Sequence, residues 1–522
     1  MFVRVKPSGN HRYLQVVESY REGSRVRQRV VAILGRLETI TAAGNIDGIL
    51  KSLARFAGQV KVIYAYRRGE LDIQDTLSCG SDLVFSRLWR ELGVPEVLAG
   101  LLAGRKFSFD LERAVYLSVL HRLCSGGSDR AADKWRRDVL VPGSEGLALH
   151  HLYRAMRYLG QSHRTIEEKL FVRRRHLFSS LTLAFYDTTS LSFFGAGGES
   201  LGQFGHSKDK RPDLKQVVLG VVLDDTGRPI ASQVLPGNTA DITSFLPLVR
   251  RLKRRFGVKQ VTWVADRAMI SAATIKELEQ RRLAYLFGAR LRNQQEVREQ
   301  VLSRGGRYRI VAGNLKVKEV KVDARRYIIC RNPKQAEKDR QARQAIVAKL
   351  QERLSSRRRQ LIGNQGYRRY LTVDRGAVTI NQQVVKDEAR FDGVYVLRTN
   401  TDLSAPEAAL QYKRLWQVEQ HFRATKSLVD TRPVFHKYDA TITGHIFVSW
   451  LALLLRHELL SRIEAGGARL EWADVVRDLL ALQTVTVRDG LCSWQLRGPM
   501  KGCAALVFRA AGAAIPPSAR KL

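Results

Sequence analysis

Three carboxylates stand where their sequence surroundings could give them chemical work: Asp187, Asp266 and Glu419. Asp187 lies in "LTLAFYDTTSLSF" (181 to 193), where Leu181, Leu183, Phe185, Asp187, Thr189, Leu191 and Phe193 share one parity. In a strand, one parity is one face of the sheet, so Asp187 falls on an apolar face. A lone carboxylate there costs several kcal/mol of desolvation unless a cation, a proton or hydrogen bonds compensate it. Asp266 ends the apolar run of "QVTWVAD", just before a helix expected near Ser271. In α/β sheets ligand sites gather at the carboxyl ends of strands, where both aspartates are expected. Taken alone, Asp266 better suits a cap or turn between strand and helix.

Glu419 belongs to "SAPEAALQYKRLWQVEQHFRATKS" (404 to 427). Ser404 with Glu407 forms a capping box and Pro406 fits the first turn, which sets a helix start near 405. At about 100° per residue, Tyr412, Trp416, Glu419, Arg423 and Lys426 fall within a band of roughly 80°. Leu415, Val418 and Phe422 form an adjacent apolar face suited to packing on a sheet. A merely solvated face has little use for Tyr and Trp among its charges. Three oxygen donors without a histidine or cysteine cluster suit Mg²⁺ or Mn²⁺ rather than zinc. Two such ions can activate an attacking oxygen and stabilise the leaving oxygen of a phosphodiester.

The elements that must position these residues follow from the rest of the chain. Its 522 residues exceed one ordinary core, so several domains are expected. The net charge of +38 points to a polyanion, and nucleic acid is the leading partner. Basic clusters recur at 172 to 178, 250 to 257 and 355 to 360. The five cysteines (Cys79, Cys124, Cys330, Cys492, Cys503) are scattered and support neither a disulfide framework nor a zinc site. "MFVRVKPSGN" lacks the apolar core of a signal peptide, and "HIFVSWLALLLRHELL" is too short to span a bilayer. A cytoplasmic, nucleoid-associated protein without membrane contact is expected, with the late apolar stretch as a core helix.

Residues 1–75 read as a small β-rich region and 76–178 as a helical region that could bind DNA. The middle reads strand, strand, strand, helix, strand, helix, strand, an α/β layer with a mixed sheet. We place its first part at 179–293, an insertion domain at 294–393, its second part with the Glu419 helix at 394–460, and a C-terminal region at 461–522.

The motifs "YDTTS", "GHSKDKRPDLKQV", "PGNTAD", "VADRAMIS" and "YKRLWQVEQHFRATKS" occur in order, with "YLQVVESYREG" early and "RPVFH" and "GHIFVSWLAL" late. In these the sequence resembles DDE transposases of bacterial insertion sequences, in the insertion-sequence-four superfamily, over nearly its whole length. The resemblance implies a ribonuclease-H-like mixed sheet with flanking helices, interrupted by an insertion domain. It makes Asp187, Asp266 and Glu419 the catalytic, metal-binding carboxylates, with two Mg²⁺ or Mn²⁺ ions per site. The family's helix signature is Tyr, then Arg three on, Glu seven on and Lys fourteen on; Tyr412, Glu419 and Lys426 match. Leu415 stands at the arginine's position, and Arg414 projects about 160° from Tyr412 on the wheel. Arg423, on the stripe, is the expected replacement.

In "GHSKDKRPD" the candidates for phosphate contact are His206, Lys208 and Arg211, against a plain solvated loop. His206 is read as a DNA contact or loop hydrogen bond rather than a metal ligand. Trp416 either stacks on a displaced base or packs at the core edge. Lys426 matches the family's phosphate-contacting lysine. The implied activity is binding of terminal inverted repeats, pairing of the ends by a homodimer, metal-dependent strand cleavage and strand transfer into target DNA. A hairpin intermediate is implied by the resemblance alone. The alternatives are a ribonuclease-H-like nuclease without strand transfer, or a catalytically silent DNA-binding protein.

Overall fold

The computed structural model describes residues 1–22, 25–42, 45–53, 72–173, 181–195, 197–256, 261–292, 294–354, 365–374, 377–489 and 492–522. The basic runs at 174–178 and 355–360 lie outside them. By its internal contacts the chain divides into two units. The first comprises Met1–Gly80, Asp478–Ala504 and Ala514–Leu522. It holds an antiparallel meander of β1 (Phe2–Ser8), β2 (His11–Glu22) and β3 (Arg25–Arg36), followed by α1 (Leu37–Ala42) and α2 (Asn45–Leu53). The "PSGN" turn closes the first hairpin with Gly9 at positive φ, where a Cβ would be strained. β4 (Asp72–Ser78) pairs antiparallel with the late strand Gln483–Asp489, so chain regions far apart in sequence share one sheet.

The second unit comprises Ser81–Arg477 and Ala505–Ala513. It opens on helices: α3 (Gly80–Glu91), α4 (Val94–Leu102), α5 (Leu111–Cys124), α6 (Asp129–Trp135) and α7 (Leu149–Arg173). Asp110 and Ser128 cap the starts of α5 and α6 through their side chains. Next come β5 (Leu183–Ser192), β6 (Gln216–Leu223), β7 (Pro229–Pro236), α8 (Asp241–Arg255), β8 (Thr262–Ala265), α9 (Ala272–Gln280) and β9 (Ala284–Gly288). They are ordered β7-β6-β5-β8-β9, with β6 antiparallel to both β5 and β7, and β8 and β9 parallel to β5. This is the ribonuclease-H-like mixed sheet. Both faces of β5 are covered, Phe185 and Leu191 packing into one apolar cluster and Ala184 and Tyr186 into the other.

The stretch expected as an insertion domain does not stand apart from this sheet. Its strands β10 (Arg309–Ala312), β11 (Leu315–Val322) and β12 (Arg325–Arg331) continue the sheet beyond β9. Leu315 and Val317 of β11 pack into the cluster that holds Phe185 and Leu191, whereas Val320 and Val322, of the opposite parity, pack into a second cluster with Ile329 and Val396, so each face of the strand carries buried side chains. Only the segment after it forms a separate small layer: α10 (Pro333–Leu354), α11 (Gln365–Arg368), the hairpin β13 (Leu371–Asp374) and β14 (Ala377–Ile380), and α12 (Gln382–Ala389). The chain re-enters the sheet as β15 (Val394–Thr399), between β12 and β9. There follow α13 (Ala405–Lys413), α14 (Trp416–Arg423) and the long buried helix α15 (Asp439–Ala465). No helix among the described residues is long and apolar enough to cross a membrane.

Arg122 of α5, 1% exposed, ties the helical region to the segment after α14. Its guanidinium reaches the carbonyls of Val429 and Asp430 at 3.4 Å, Ser449 Oγ at 3.4 Å and His445 Nδ1 at 2.8 Å. Burial pulls its pKa down to about 10, opposed by the carboxylates of Asp129 and Asp430. Arg122→Met strands two carbonyls and the buried Asp129. It should lower unfolding free energy by roughly 3–5 kcal/mol in a denaturant titration.

Candidate active site

Asp187 and Asp266 come together through strand register. β5 and β8 pair in parallel with Tyr186 beside Ala265, so the next residue of each chain is an aspartate. Asp187 is not at the end of its strand, as expected, but in its middle. The β-branched pair Thr188 and Thr189 and the apolar Leu191 carry β5 on to Ser192, where β6 is still its partner. It is β8 that stops at Ala265 and opens the space beside Asp187.

The Asp187 carboxylate accepts a 2.7 Å hydrogen bond from Thr188 N and lies 3.9 Å from Lys208 Nζ. Burial pushes its pKa up to about 6; Lys208 and the Thr188 amide oppose this, while Asp266 and Asp241 add to it. Lys208 is anchored by Thr188 O and Oγ1, both at 2.7 Å, and by Asp241 Oδ2 at 3.2 Å. Thr188 Oγ1 in turn donates to Asp241 Oδ1 at 2.5 Å. The desolvated Asp187 thus has a cation beside it and two like charges within electrostatic reach.

Asp266 does not spend its side chain on capping: the 3₁₀ turn Arg267–Met269 receives no side-chain bond from it. Ser271 caps α9 instead, accepting from Thr274 N. Asp266 Oδ1 accepts a 3.3 Å hydrogen bond from the Tyr412 hydroxyl, whose pKa is pushed up by burial and by Asp266. Gly288 makes room for this contact, since a Cβ there would stand 2.5 Å from the Tyr412 oxygen.

The stripe on the Glu419 helix is divided. The capping box at Ser404 and Glu407 forms as expected, but the helix tightens at 414–415, where i→i+3 bonds separate α13 from α14. A π-helical turn, Ala424–Leu428, follows α14. These changes of pitch break a wheel drawn at one fixed angle. Tyr412 faces Asp266, in a cavity of about 590 Å³ lined also by Arg267, Gly288 and Tyr395. Lys426 meets Asp209 Oδ1 at 2.7 Å, and Arg432 meets Oδ2 of the same carboxylate at 2.6 Å. Trp416 and Arg423 line a different cleft, against Leu453 and Arg456 of α15. Glu419 is exposed, on a helix whose Val418 and Phe422 pack into the same apolar cluster as Phe185 and Leu191. Among the described residues, no group of three or more His, Cys, Asp or Glu side chains converges as a set of metal ligands.

His206 and Lys208 line a cavity with Ser190 and Asp241, whereas Arg211 is paired with Asp213 at 2.7 Å on the exposed loop. Sequence reasoning missed Asp241, Asp209 and Gly288. The signal for Asp241 was its place in "PGNTAD", at the start of the helix that follows β7.

Residues 179–455 match the model of the transposase DDE domain, and residues 3–66 match that of the IS1634 family transposase N-terminal domain. No curated protein matches the chain. Among solved structures, the cryo-EM structure of the piggyBac transposase synaptic complex with hairpin DNA is similar at 12% identity and a TM-score of 0.35. The alignment covers 77% of this chain and 78% of that one.

Proposed function

The chain belongs to the DDE-domain transposases of insertion sequences, and from that premise we propose a specific activity. It binds the terminal inverted repeats of its own element, cuts DNA at their ends and joins the freed 3′ end to target DNA. One observation carries the reading: the half-buried Asp187 of β5 and Asp266, just past the end of the parallel strand β8, stand beside each other beneath the layer that bears Glu419. Oxygen donors alone, with a desolvated carboxylate beside like charges, fit a hard divalent cation. Asp187, Asp266 and Glu419 are the residues that would hold Mg²⁺ or Mn²⁺, two ions in all. Such ions, when bound, polarise the scissile phosphate and stabilise charge on the attacking and leaving oxygens.

The chain's own residues do the positioning. Tyr412 orients Asp266, and Lys208 and Lys426 supply point charges for phosphates, with His206 and Arg211 on the same loop edge. Trp416 and Arg423 serve a second stretch of DNA along the α14–α15 cleft. The excess charge gives sequence-independent, salt-sensitive affinity. Two ends held together require two copies, hence a homodimer.

Arg414 and Arg423 separate structure from binding. Arg414 bonds Gln411 at 2.9 Å and lies over the Phe185 ring, while Arg423 is exposed. Arg423→Ala should weaken DNA binding roughly tenfold with an unchanged unfolding midpoint, whereas Arg414→Ala should lower the midpoint and leave affinity nearly intact. Equal effects on affinity would remove Arg423 from the interface.

The test is cleavage and joining of labelled DNA carrying the element's own end, with Mg²⁺ or Mn²⁺. Nicking followed by products covalently joined to a target plasmid supports the reading; nicking without joining favours a nuclease. The absence of a converged third ligand among the described residues favours a second reading, a DNA-binding protein that does not cut. Specific end binding with no nicking under either metal would establish it.

A further inference from the structure

Beyond the carboxylates, β5 leads to an aromatic pair that the site described above does not use. Phe194 follows the end of β5, and Phe435 lies in the segment between α14 and α15. Their backbones are tied together. Val434 N donates to Ser192 O and Phe194 N to Val434 O, each at 3.2 Å, and Phe193 bridges Val434 in parallel. Phe193 and Val434 are buried beneath, which turns the alternate residues outward. Phe194 is 52% exposed and Phe435 64%. Their rings lie 6.1 Å apart between centroids and 21° from parallel. Beside them, a Cβ on Gly195 would meet nothing within 4 Å.

Single exposed aromatics need no explanation, but two held nearly parallel by a pinned backbone form a built surface. Basic side chains lie near it, several of them paired with carboxylates. Arg432 shares Asp209 with Lys426, and Asp209 adjoins Lys208, which reaches Asp187. On the other side Lys437 is exposed, and the Arg157 guanidinium lies 6.0 Å from the exposed Tyr438 ring. A line of cations, Lys208, Lys426 and Arg432, each paired with a carboxylate, thus runs from the half-buried Asp187 toward the aromatic pair.

We propose that Phe194 and Phe435 form a stacking platform for an unpaired base of the DNA strand that this basic line leads to the carboxylates. The proposal rests on the DNA-processing reading above. Apolar rings alone would suit many partners; rings set among lysines and arginines suit a polyanion with flat, apolar faces, which describes an unstacked nucleotide. A base within a duplex has both faces covered, so the platform selects single-stranded or flipped bases.

The experiment measures binding of two DNAs, a blunt duplex and the same duplex with a short single-stranded overhang containing 2-aminopurine. The native protein should bind the overhang DNA more tightly and quench the 2-aminopurine. Phe194→Ala and Phe435→Ala should lose the quenching and weaken overhang binding roughly ten- to a hundredfold, while blunt-duplex affinity changes by less than about twofold. Phe435→Trp should restore the quenching, and thermal midpoints should stay at the native value because both rings are exposed. Equal losses on the two DNAs, or no loss on either, would overturn the platform while leaving DNA binding in place. Variants that lose self-association but keep their overhang affinity would assign the pair to a contact between copies and overturn it too. Failure of the native protein to bind either DNA would instead remove the reading on which the platform rests.

Discussion

Asp187→Ala and Asp266→Ala should each abolish DNA strand cleavage, by on the order of 10³-fold or more, while binding of the element's end is retained. Asp187 sits on a strand covered on both faces, and Asp266 and Asp241 both raise its pKa. Selection for stability alone would not place a carboxylate there with like charges beside it. Removing Asp187 should therefore not lower the unfolding midpoint, and this separates a functional carboxylate from a structural one. A second readout is Mn²⁺ affinity by calorimetry, which should fall in both variants whether or not DNA is present. Glu419→Ala is expected to abolish cleavage as well, since its helix covers the face of β5 on which Asp187 stands. Normal cutting by Glu419→Ala would move the third ligand elsewhere. Asp241, which already shares Thr188 and Lys208 with Asp187, would then be the residue to substitute next.

Much of this site is legible in the sequence because it rests on local rules. The parity of residues 181–193 put Asp187 among apolar neighbours, and Phe185, Leu191 and Phe193 do share one cluster on one face. The capping box located the start of α13. The mixed sheet followed from the alternation of strand and helix patterns. What was hidden depends on geometry that no window of sequence contains. The tightened turn at 414–415 and the π-turn at 424–428 break the wheel on which Tyr412, Trp416, Glu419, Arg423 and Lys426 had shared a stripe. Asp209 shows no special setting in "GHSKDKRPD", yet it gathers Lys426 and Arg432, both from more than two hundred residues away. β11 alternates apolar and charged residues in two short runs that change phase at Lys318–Glu319, and nothing in that pattern says whether it builds a separate domain or extends the sheet that carries Asp187.

Replacing either Gly160 or Gly444 by leucine should prevent folding of the unit that holds the site, and alanine alone should lower its stability by more than about 4 kcal/mol. These glycines lie where α7 crosses α15, two helices of 25 and 27 residues. A Cβ on Gly160 would stand 1.7 Å from the Ala440 carbonyl oxygen, and one on Gly444 would stand 1.9 Å from that of Met156. Both obstacles are backbone, so no rotamer change relieves them and the helices must move apart. Around the crossing, Leu152, Ala155 and Leu159 of α7 and Phe447, Val448 and Leu451 of α15 are all buried, so separation strips contacts along both helices. The control is Gly100 of α4, with nothing within 4 Å of its Cβ position, where alanine should raise stability by about 0.5–1 kcal/mol. Denaturant titration distinguishes the sites directly. The consequence for function follows from what α15 carries. Its His445 and Ser449 bind Arg122, which holds the carbonyls of Val429 and Asp430, and that segment continues to Arg432 and Phe435. A displaced α15 would thus misplace the basic line beside Asp187 before the sheet itself came apart. Gly444→Ala protein that still folds at low temperature should therefore lose DNA affinity, although the substitution touches no DNA-facing residue.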